Sequence, residues 1–484
     1  MNERMSQGAA FRATGVSRRG FLTGVGGVSL LALGSPALLA ACGDGGTTGT
    51  TGTGLEAYRA ASIDWQQAKG RSINIAVIPA TYFEVLFELL PQFEELTGIK
   101  VSVEKIPPAQ IRQKAVLDLS TGGKQYHTHA ADPMYYPLYA SNKWVVPIDD
   151  FLGNAKYTDQ KWFAFDDIIP KWRGSTTIDG KTYGVPYDGE VTVQVYRTDL
   201  YDKAGLKPAE TLDQFLANAG ELNHPDKRIW GAALRGTPGA GQNMYIWPSI
   251  FREYGGEWFD TAGQPTVNSD AGVAALEWYI KLMGNGPKAA SNWNWPDIAD
   301  AFAQGTLASF IDAHAATALV VFDKQKSRVV DSVGFARWPA GPTGKRVTSL
   351  WNWSFPINAA VPPEEQLATW LFIQWATSLE TQARTSYAYK GSGIGRSGVN
   401  RTSLWKLDTY RKSVDYGNGF LDAVETSLAE DTDLDWRPRV PEWPAIGDRM
   451  AIALQTALTG QKTAKAALDD VSQEIVGILG KRRS

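Results

Sequence analysis

Ser72-Ile73-Asn74-Ile75-Ala76-Val77-Ile78, then an apolar-periodic stretch from Phe83 to Thr97 closed by Gly98, then Lys100-Val101-Ser102-Val103-Glu104: the fold turns on this passage. The outer pieces are short and rich in β-branched residues, which reads as strands. Between them the apolar residues recur at helical spacing, and Gly98 is a suitable C-terminal cap. The alternation continues. Ile111 to Ser120 reads as a second amphipathic helix before Gly122-Gly123, and Thr177 to Tyr183 as a hairpin around Asp179-Gly180. Val191 to Tyr196, Leu307 to Ile311 and Val333 to Ala336 read as strands. Helices are expected at Thr211 to Leu222, at Ala271 to Met283 with Ser269 as N-cap, at Glu364 to Ser378 and at Met450 to Leu458. Repeated βα units predict an α/β protein with doubly wound parallel sheets and ligands at the carboxyl ends of the strands. No internal repeat is present.

Upstream of this body lies a different kind of sequence. Ser17-Arg18-Arg19-Gly20-Phe21-Leu22 is a twin-arginine export motif, and an apolar run from Val25 to Ala41 follows it. Gly34, Ser35 and Pro36 interrupt the run, so a cleaved signal peptide is expected rather than a membrane span. The run ends in Leu39-Ala40-Ala41-Cys42, which resembles a bacterial lipobox, and Cys42 is the only cysteine in the chain. Residues 1–41 are therefore read as leader, Cys42 as the lipidated residue, and residues 42–57 as a lipidated cysteine with a flexible Gly/Thr tether. The expected location is extracytoplasmic, held to the cell membrane by lipid.

The 484 residues carry a formal net charge of -3, and removing the leader's +3 leaves -6 on the mature part. A mildly acidic surface without basic blocks argues against nucleic acid as a partner. A chain that is 43% hydrophobic and 20% charged is neither disordered nor membranous. With a single cysteine no internal disulfide is possible. Tryptophan is abundant, 18 residues, and indole suits ligands with an apolar face and a polar rim, although most of these side chains are expected in the core.

Several stretches resemble the extracellular solute-binding proteins of sugar-importing ABC transporters, the group that includes the maltose-binding protein. Phe93 to Val101 is similar to the end of their first helix and the start of their second strand. Asp179-Gly180-Lys181-Thr182-Tyr183-Gly184-Val185-Pro186-Tyr187 is similar to their first crossing between lobes, and Tyr196-Arg197-Thr198-Asp199-Leu200 to the segment beyond it. Tyr254-Gly255-Gly256-Glu257, Ala301-Phe302-Ala303-Gln304-Gly305 and Leu458-Thr459-Gly460-Gln461-Lys462 follow in the family's order. Pro186-Tyr187-Asp188-Gly189-Glu190 and Asn292-Trp293-Asn294-Trp295-Pro296 resemble members that bind sugars and polyols such as sorbitol and mannitol. The resemblance implies a two-lobed periplasmic-binding-protein-like fold with the ligand cleft between lobes joined by a multi-strand hinge. Lobe one would comprise residues 58–190 plus 338–372, and lobe two 191–337 plus 373–484. It implies a monomer that is not an enzyme, needs no cofactor, binds a small carbohydrate or polyol and delivers it to an ABC permease.

A polyol's hydroxyls both donate and accept, so the cleft needs carboxylates, amides and arginine beside an aromatic surface. The resemblance makes Glu190 a ligand-binding residue of the crossing, and Asp188, two positions earlier in an extended segment, faces the same side. Tyr82 sits where the first strand hands over to its helix. Asp132 and Tyr135 follow the third strand in the same way, and Asp312 ends the Leu307 to Ile311 strand. Trp247 is read either as part of the wall of lobe two or, the more usual place for such a residue, as core. Trp351 and Trp353 lie on one side of an extended segment with Asn352 on the other, either as a stacking surface or as a core pair. Arg396 resembles the family's loop arginine that reaches the cleft.

Other readings are weaker. His127, His129 and Asp132 have metal-ligand chemistry, but the chain has only four histidines and no further cluster, so no metal is expected. Asp431-Thr432-Asp433-Leu434-Asp435 begins like a calcium loop, but Trp436 stands where the sharp turn needs glycine. Gly341-Pro342-Thr343-Gly344-Lys345 has glycines too close together for a phosphate loop. The competing function is a secreted carbohydrate-active hydrolase using Asp188 and Glu190. Hydrolysis needs carboxylates on opposite sides of a bond, whereas these two face the same way.

Overall fold

The structure is a computed structural model that describes residues 54–386 and 395–483. The expected leader, Cys42 and the tether up to residue 53 lie outside the described residues, as do Gly393 and Ile394. Among the described residues no helix is long and apolar enough to cross a membrane.

The body begins with a single helical turn, Glu56–Arg59, and then β1 (Ser72–Val77), whose Ile73, Ile75, Ala76 and Val77 are buried. The helix expected from Phe83 to Thr97 is two helices, α1 (Thr81–Glu88) and α2 (Leu90–Thr97). Pro91 has no N–H to donate back to Phe87, so the ladder breaks at Leu89. Gly98 caps α2 at φ 69°, a left-handed conformation that glycine takes without steric cost. β2 (Lys100–Lys105), α3 (Pro108–Ser120) and β3 (Thr128–His129) follow, and the sheet order β2-β1-β3 is wholly parallel, as expected for lobe one.

The chain leaves this lobe through β4 (Gly184–Pro186) and enters the second as β5 (Glu190–Arg197). Lobe two holds β6 (Trp230–Ala233), α4 (Asn243–Glu253), α5 (Asp270–Met283), β7 (Leu307–Ala313), α6 (His314–Val321) and β8 (Val333–Ala336). Its sheet, ordered β8-β5-β7-β6, corrects the expectation of a purely parallel arrangement. Only β6 and β7 run parallel, while β5 is antiparallel to both β7 and β8. The reason is topological: β5 is the crossing strand, and it arrives from lobe one against the direction of the strands it meets.

The return is also displaced from the expected position. Residues 338–350 do not rejoin lobe one: Val347 donates to Glu253 of α4, and Thr348 accepts from the Thr192 N–H of β5. The crossing back is made by β9 (Leu350–Trp351), paired with β5, and β10 (Ser354–Pro356), paired with β4. The boundary expected after Phe372 falls inside one continuous helix, α7 (Pro363–Thr377), which packs on β1. The next helix, α8 (Leu379–Ser386), packs on α1, so the chain stays in lobe one beyond that point. Arg401 is still fastened there, donating to the carbonyls of Phe163, Ala164 and Thr377. The chain then passes to lobe two, where the helix Phe420–Thr426 lies on β8 and where α9 (Trp443–Leu458) and α10 (Ala464–Arg483) pack on α5. Most of the tryptophans serve the core: Trp172, Trp247, Trp338, Trp370, Trp375 and Trp443 are fully buried.

Candidate functional site

The link between β4 and β5 is Tyr187-Asp188-Gly189, and the returning strand locks it in place. Tyr187 N–H donates to the Trp353 carbonyl at 2.8 Å, and Trp353 N–H donates to the Asp188 carboxylate. Glu190 reaches the other way, accepting at 3.0 Å from the Ala316 N–H in the first turn of α6. Free amides there favour a negative group. Both carboxyl groups are buried, and no arginine or lysine forms an ion pair with either among the described residues.

Their protonation follows from this. Burial pushes Asp188 up to about 7, although Arg396 and the Trp353 N–H pull the other way. Burial, with the charge of Asp188 added to it, pushes Glu190 up to about 8, against the pull of Arg235. Unfolded carboxyls titrate near pH 4. The folded chain therefore holds protons that the unfolded chain has released. The stability this represents is complete below about pH 4 and is lost as pH rises through the folded values. Urea unfolding of the ligand-free protein should accordingly show a lower midpoint at pH 8 than at pH 5. The double variant Asp188→Asn, Glu190→Gln should flatten that slope, and an unchanged slope would contradict the assignment.

Asp132 caps the helical turn Pro133–Tyr135, accepting from Met134 N–H at 3.0 Å, and is ion-paired to Arg112 Nε of α3 at 2.8 Å. Asp312, near the end of β7, is paired through both oxygens to Arg235, two residues beyond β6. Arg235 also donates to the Gly241 carbonyl at 2.6 Å and lies 4.3 Å from the Tyr245 ring centre. Arg437 is sandwiched between Trp436, 3.9 Å away, and Trp351, 5.4 Å away, and burial lowers its pKa to about 9. Trp351 and Trp353 meet edge to face at 5.5 Å, and Asn352 turns away to Ser175, as the alternation required.

The remaining expected residues divide. Tyr82 is half-buried at the start of α1, its ring 6.4 Å from that of Tyr187, where burial and the charges of Asp188 and Glu190 raise its pKa. Tyr135 is half-buried beside Asp132 and Arg112, its pKa raised chiefly by burial. Arg396 is near Asp188, but its guanidinium is occupied by the carbonyls of Tyr187 and Gly398 and by the Thr385 hydroxyl. It secures the crossing against the segment after α8. Trp247 does not belong to the cleft. It is fully buried in lobe two, stacked on Phe251 at 5.1 Å and edge-on to Trp258 at 6.1 Å. Two residues along an α-helix turn the side chain through roughly 200°, so Tyr245, not Trp247, is the α4 residue on the cleft side. His127 and His129 have separate partners, Glu365 and Tyr139.

The cleft thus gathers Asp132, Asp188, Glu190 and Asp312 with Arg112, Arg235, Arg396 and Arg437, as many carboxyl groups as guanidinium groups. Sequence reasoning missed Arg112, Arg235, Tyr245 and Arg437. The position of Arg235 just past β6 was the one available signal, since this fold meets its ligands at strand carboxyl ends. Three buried polar atoms here, Tyr245 Oη, Gln242 Oε1 and Arg437 Nε, have no hydrogen-bond partner among the described residues. Buried polar groups are normally satisfied, so they point to a polar ligand.

The chain is similar to several known proteins. A family model described as bacterial extracellular solute-binding protein matches residues 80–383. The erythritol/L-threitol-binding protein of Mycolicibacterium smegmatis is 28% identical over 469 residues, 93% of this chain and 94% of that protein. The mannitol-binding protein of Pseudomonas aeruginosa is 28% identical over 373 residues, 75% of this chain and 82% of that one. Among solved structures, an ABC transporter solute-binding protein from Agrobacterium vitis with bound D-mannitol superposes with a TM-score of 0.76 at 28% identity, covering 85% of this chain and 99% of that one.

Proposed function

Because the chain belongs to the bacterial extracellular solute-binding proteins, we propose that its cleft captures a neutral, hydroxyl-rich solute, a sugar or sugar alcohol, and hands it to an ABC permease. The mixture of carboxyl and guanidinium groups around the cleft, with Tyr245 Oη, Gln242 Oε1 and Arg437 Nε unpartnered among the described residues, is the observation that carries this reading. A hydroxyl group can donate to a carboxylate and accept from a guanidinium in the same contact, so a polyol satisfies both.

Capture would draw on both lobes: Tyr82, Asp132 and Tyr135 with Arg112 from one, Asp312 with Arg235 and Tyr245 from the other, and Asp188 and Glu190 from the crossing between. A solute touching both lobes binds the closed form better than the open one, and that difference drives closure. The same reading places the protein outside the cytoplasm, tethered by lipid on Cys42 after twin-arginine export, and the mass of the mature N-terminus tests that part. Asp188 and Glu190 are each committed to a backbone N–H, of Trp353 and of Ala316, which gives hydrolysis no support.

Calorimetric titration with D-mannitol and erythritol tests the function. At least one should bind saturably with one site per chain and no turnover. Glu190→Ala should weaken that binding by about 2 kcal/mol, roughly thirtyfold, through loss of the carboxyl group's hydrogen bonds to the ligand's hydroxyls. A protein that binds no polyol and no sugar would remove the proposal.

A further inference from the structure

Resting on the polyol reading, we propose that Arg112 sets the specificity of the cleft: its guanidinium fills the corner between Trp351 and Trp353, so the site takes an acyclic polyol and turns away a pyranose ring.

A pyranose is recognised by laying its apolar C–H face on an exposed aromatic face. Among the described residues the indole pair at the crossing, Trp351 and Trp353, offers no such face. The Arg112 guanidinium carbon is 5.5 Å from the ring centre of Trp351 and 5.5 Å from that of Trp353, within cation–π range of both. Trp351 is covered further by Arg437 at 5.4 Å and by the edge of the Tyr245 ring at 5.7 Å.

Arg112 is also held where it is. Nε donates to buried Asp132 at 2.8 Å and Nη1 to the Pro108 carbonyl at 2.8 Å. Nη2 faces lobe two, where Gly241 leaves it room: a Cβ at Gly241 would lie 3.0 Å from Nη2 and 3.6 Å from Trp351. The guanidinium thus replaces a stacking surface with a directed donor. An extended chain carrying a hydroxyl on every carbon can use that donor and needs no flat apolar face, whereas a ring loses the stacking that would compensate for its dehydration.

The test pairs D-mannitol and erythritol with methyl α-D-glucopyranoside, whose ring cannot open, in titrations of the mature protein. Wild type should bind an alditol and should bind the glucoside at least a hundredfold more weakly. Arg112→Ala should narrow that ratio at least tenfold by uncovering the indoles. Because Asp132 would be left buried without its partner, Arg112→Ala is also made together with Asp132→Asn, with folding checked by circular dichroism, and the ratio should narrow again. Wild type that binds the glucoside as well as an alditol overturns the inference while the sugar-binding function stands. So does an unchanged ratio in whichever variant folds. Wild type that binds neither class overturns the functional reading, and the inference with it.

Discussion

Arg235→Met should cost the folded protein about 3–5 kcal/mol, read as a fall in the urea midpoint at constant slope. The side chains of Arg235 and Asp312 are 7% and 2% exposed, and the pair is bidentate. Removing the guanidinium leaves the Asp312 carboxyl buried without its partner, near Glu190 whose pKa it already raises. Both partners belong to lobe two, at the ends of neighbouring strands β6 and β7, so the loss does not depend on whether the lobes are open or closed. Replacing both residues, Arg235→Met with Asp312→Leu, should restore most of the stability, because apolar groups of similar volume carry no uncompensated charge. The double variant should nonetheless bind no polyol. A single variant as stable as wild type would show that the pair is solvated in solution.

Gly189→Ala should have its larger effect on binding. A Cβ at residue 189 would lie 2.3 to 2.5 Å from three atoms of the Trp172 ring, far inside contact distance. Trp172 is fully buried, so it cannot swing clear. Overpacking of this kind costs about 1–3 kcal/mol of stability. Any relief of the clash that moves the link displaces Asp188 and Glu190, the residues on either side. Losing the alignment of both carboxyls with a ligand's hydroxyls removes about 3 kcal/mol or more of binding, on the order of a hundredfold or greater. Gly189→Ala combined with Trp172→Phe should recover part of the affinity, since the smaller ring makes space. Full affinity in Gly189→Ala alone would mean that the strand's position does not govern the site.

The local signals were strong where geometry is local. β1, β2, β8 and the capping roles of Gly98 and Ser269 follow from β-branching, turn residues and helical spacing. Asp188 and Glu190 could be named from the crossing motif, but Asp188 lies in the link before β5 and bonds Trp353 while Glu190 turns to α6, so alternation along a strand did not fix which way they face. Trp247 failed because Tyr245 and Trp247 differ only in which face of α4 they occupy, and α4 is buried nearly all round, which erases the amphipathic contrast that would orient it. Arg112 and Arg437 carry no sequence mark that separates a buried guanidinium from a solvated one. Their roles depend on residues 351–353, more than two hundred positions from Arg112, and no local pattern reports a pairing at that distance. The boundaries near 338 and 372 failed for a related reason, since the crossing is defined by strand pairing rather than by composition.

The start of the body is clamped entirely to lobe one. Tyr58 is fully buried, Trp65 donates to its carbonyl at 2.8 Å, Trp162 donates to that of Ala57 at 2.9 Å, and Ser62 N–H is held by Asp159 at 2.8 Å. Mechanically, lobe one is the stator and lobe two the rotor. A pull arriving through the N-terminus is absorbed by the half of the molecule bearing Tyr82, Arg112 and Asp132, and reaches the other half only through the crossings. Closure around a solute would therefore leave these N-terminal contacts unchanged, since they lie within lobe one.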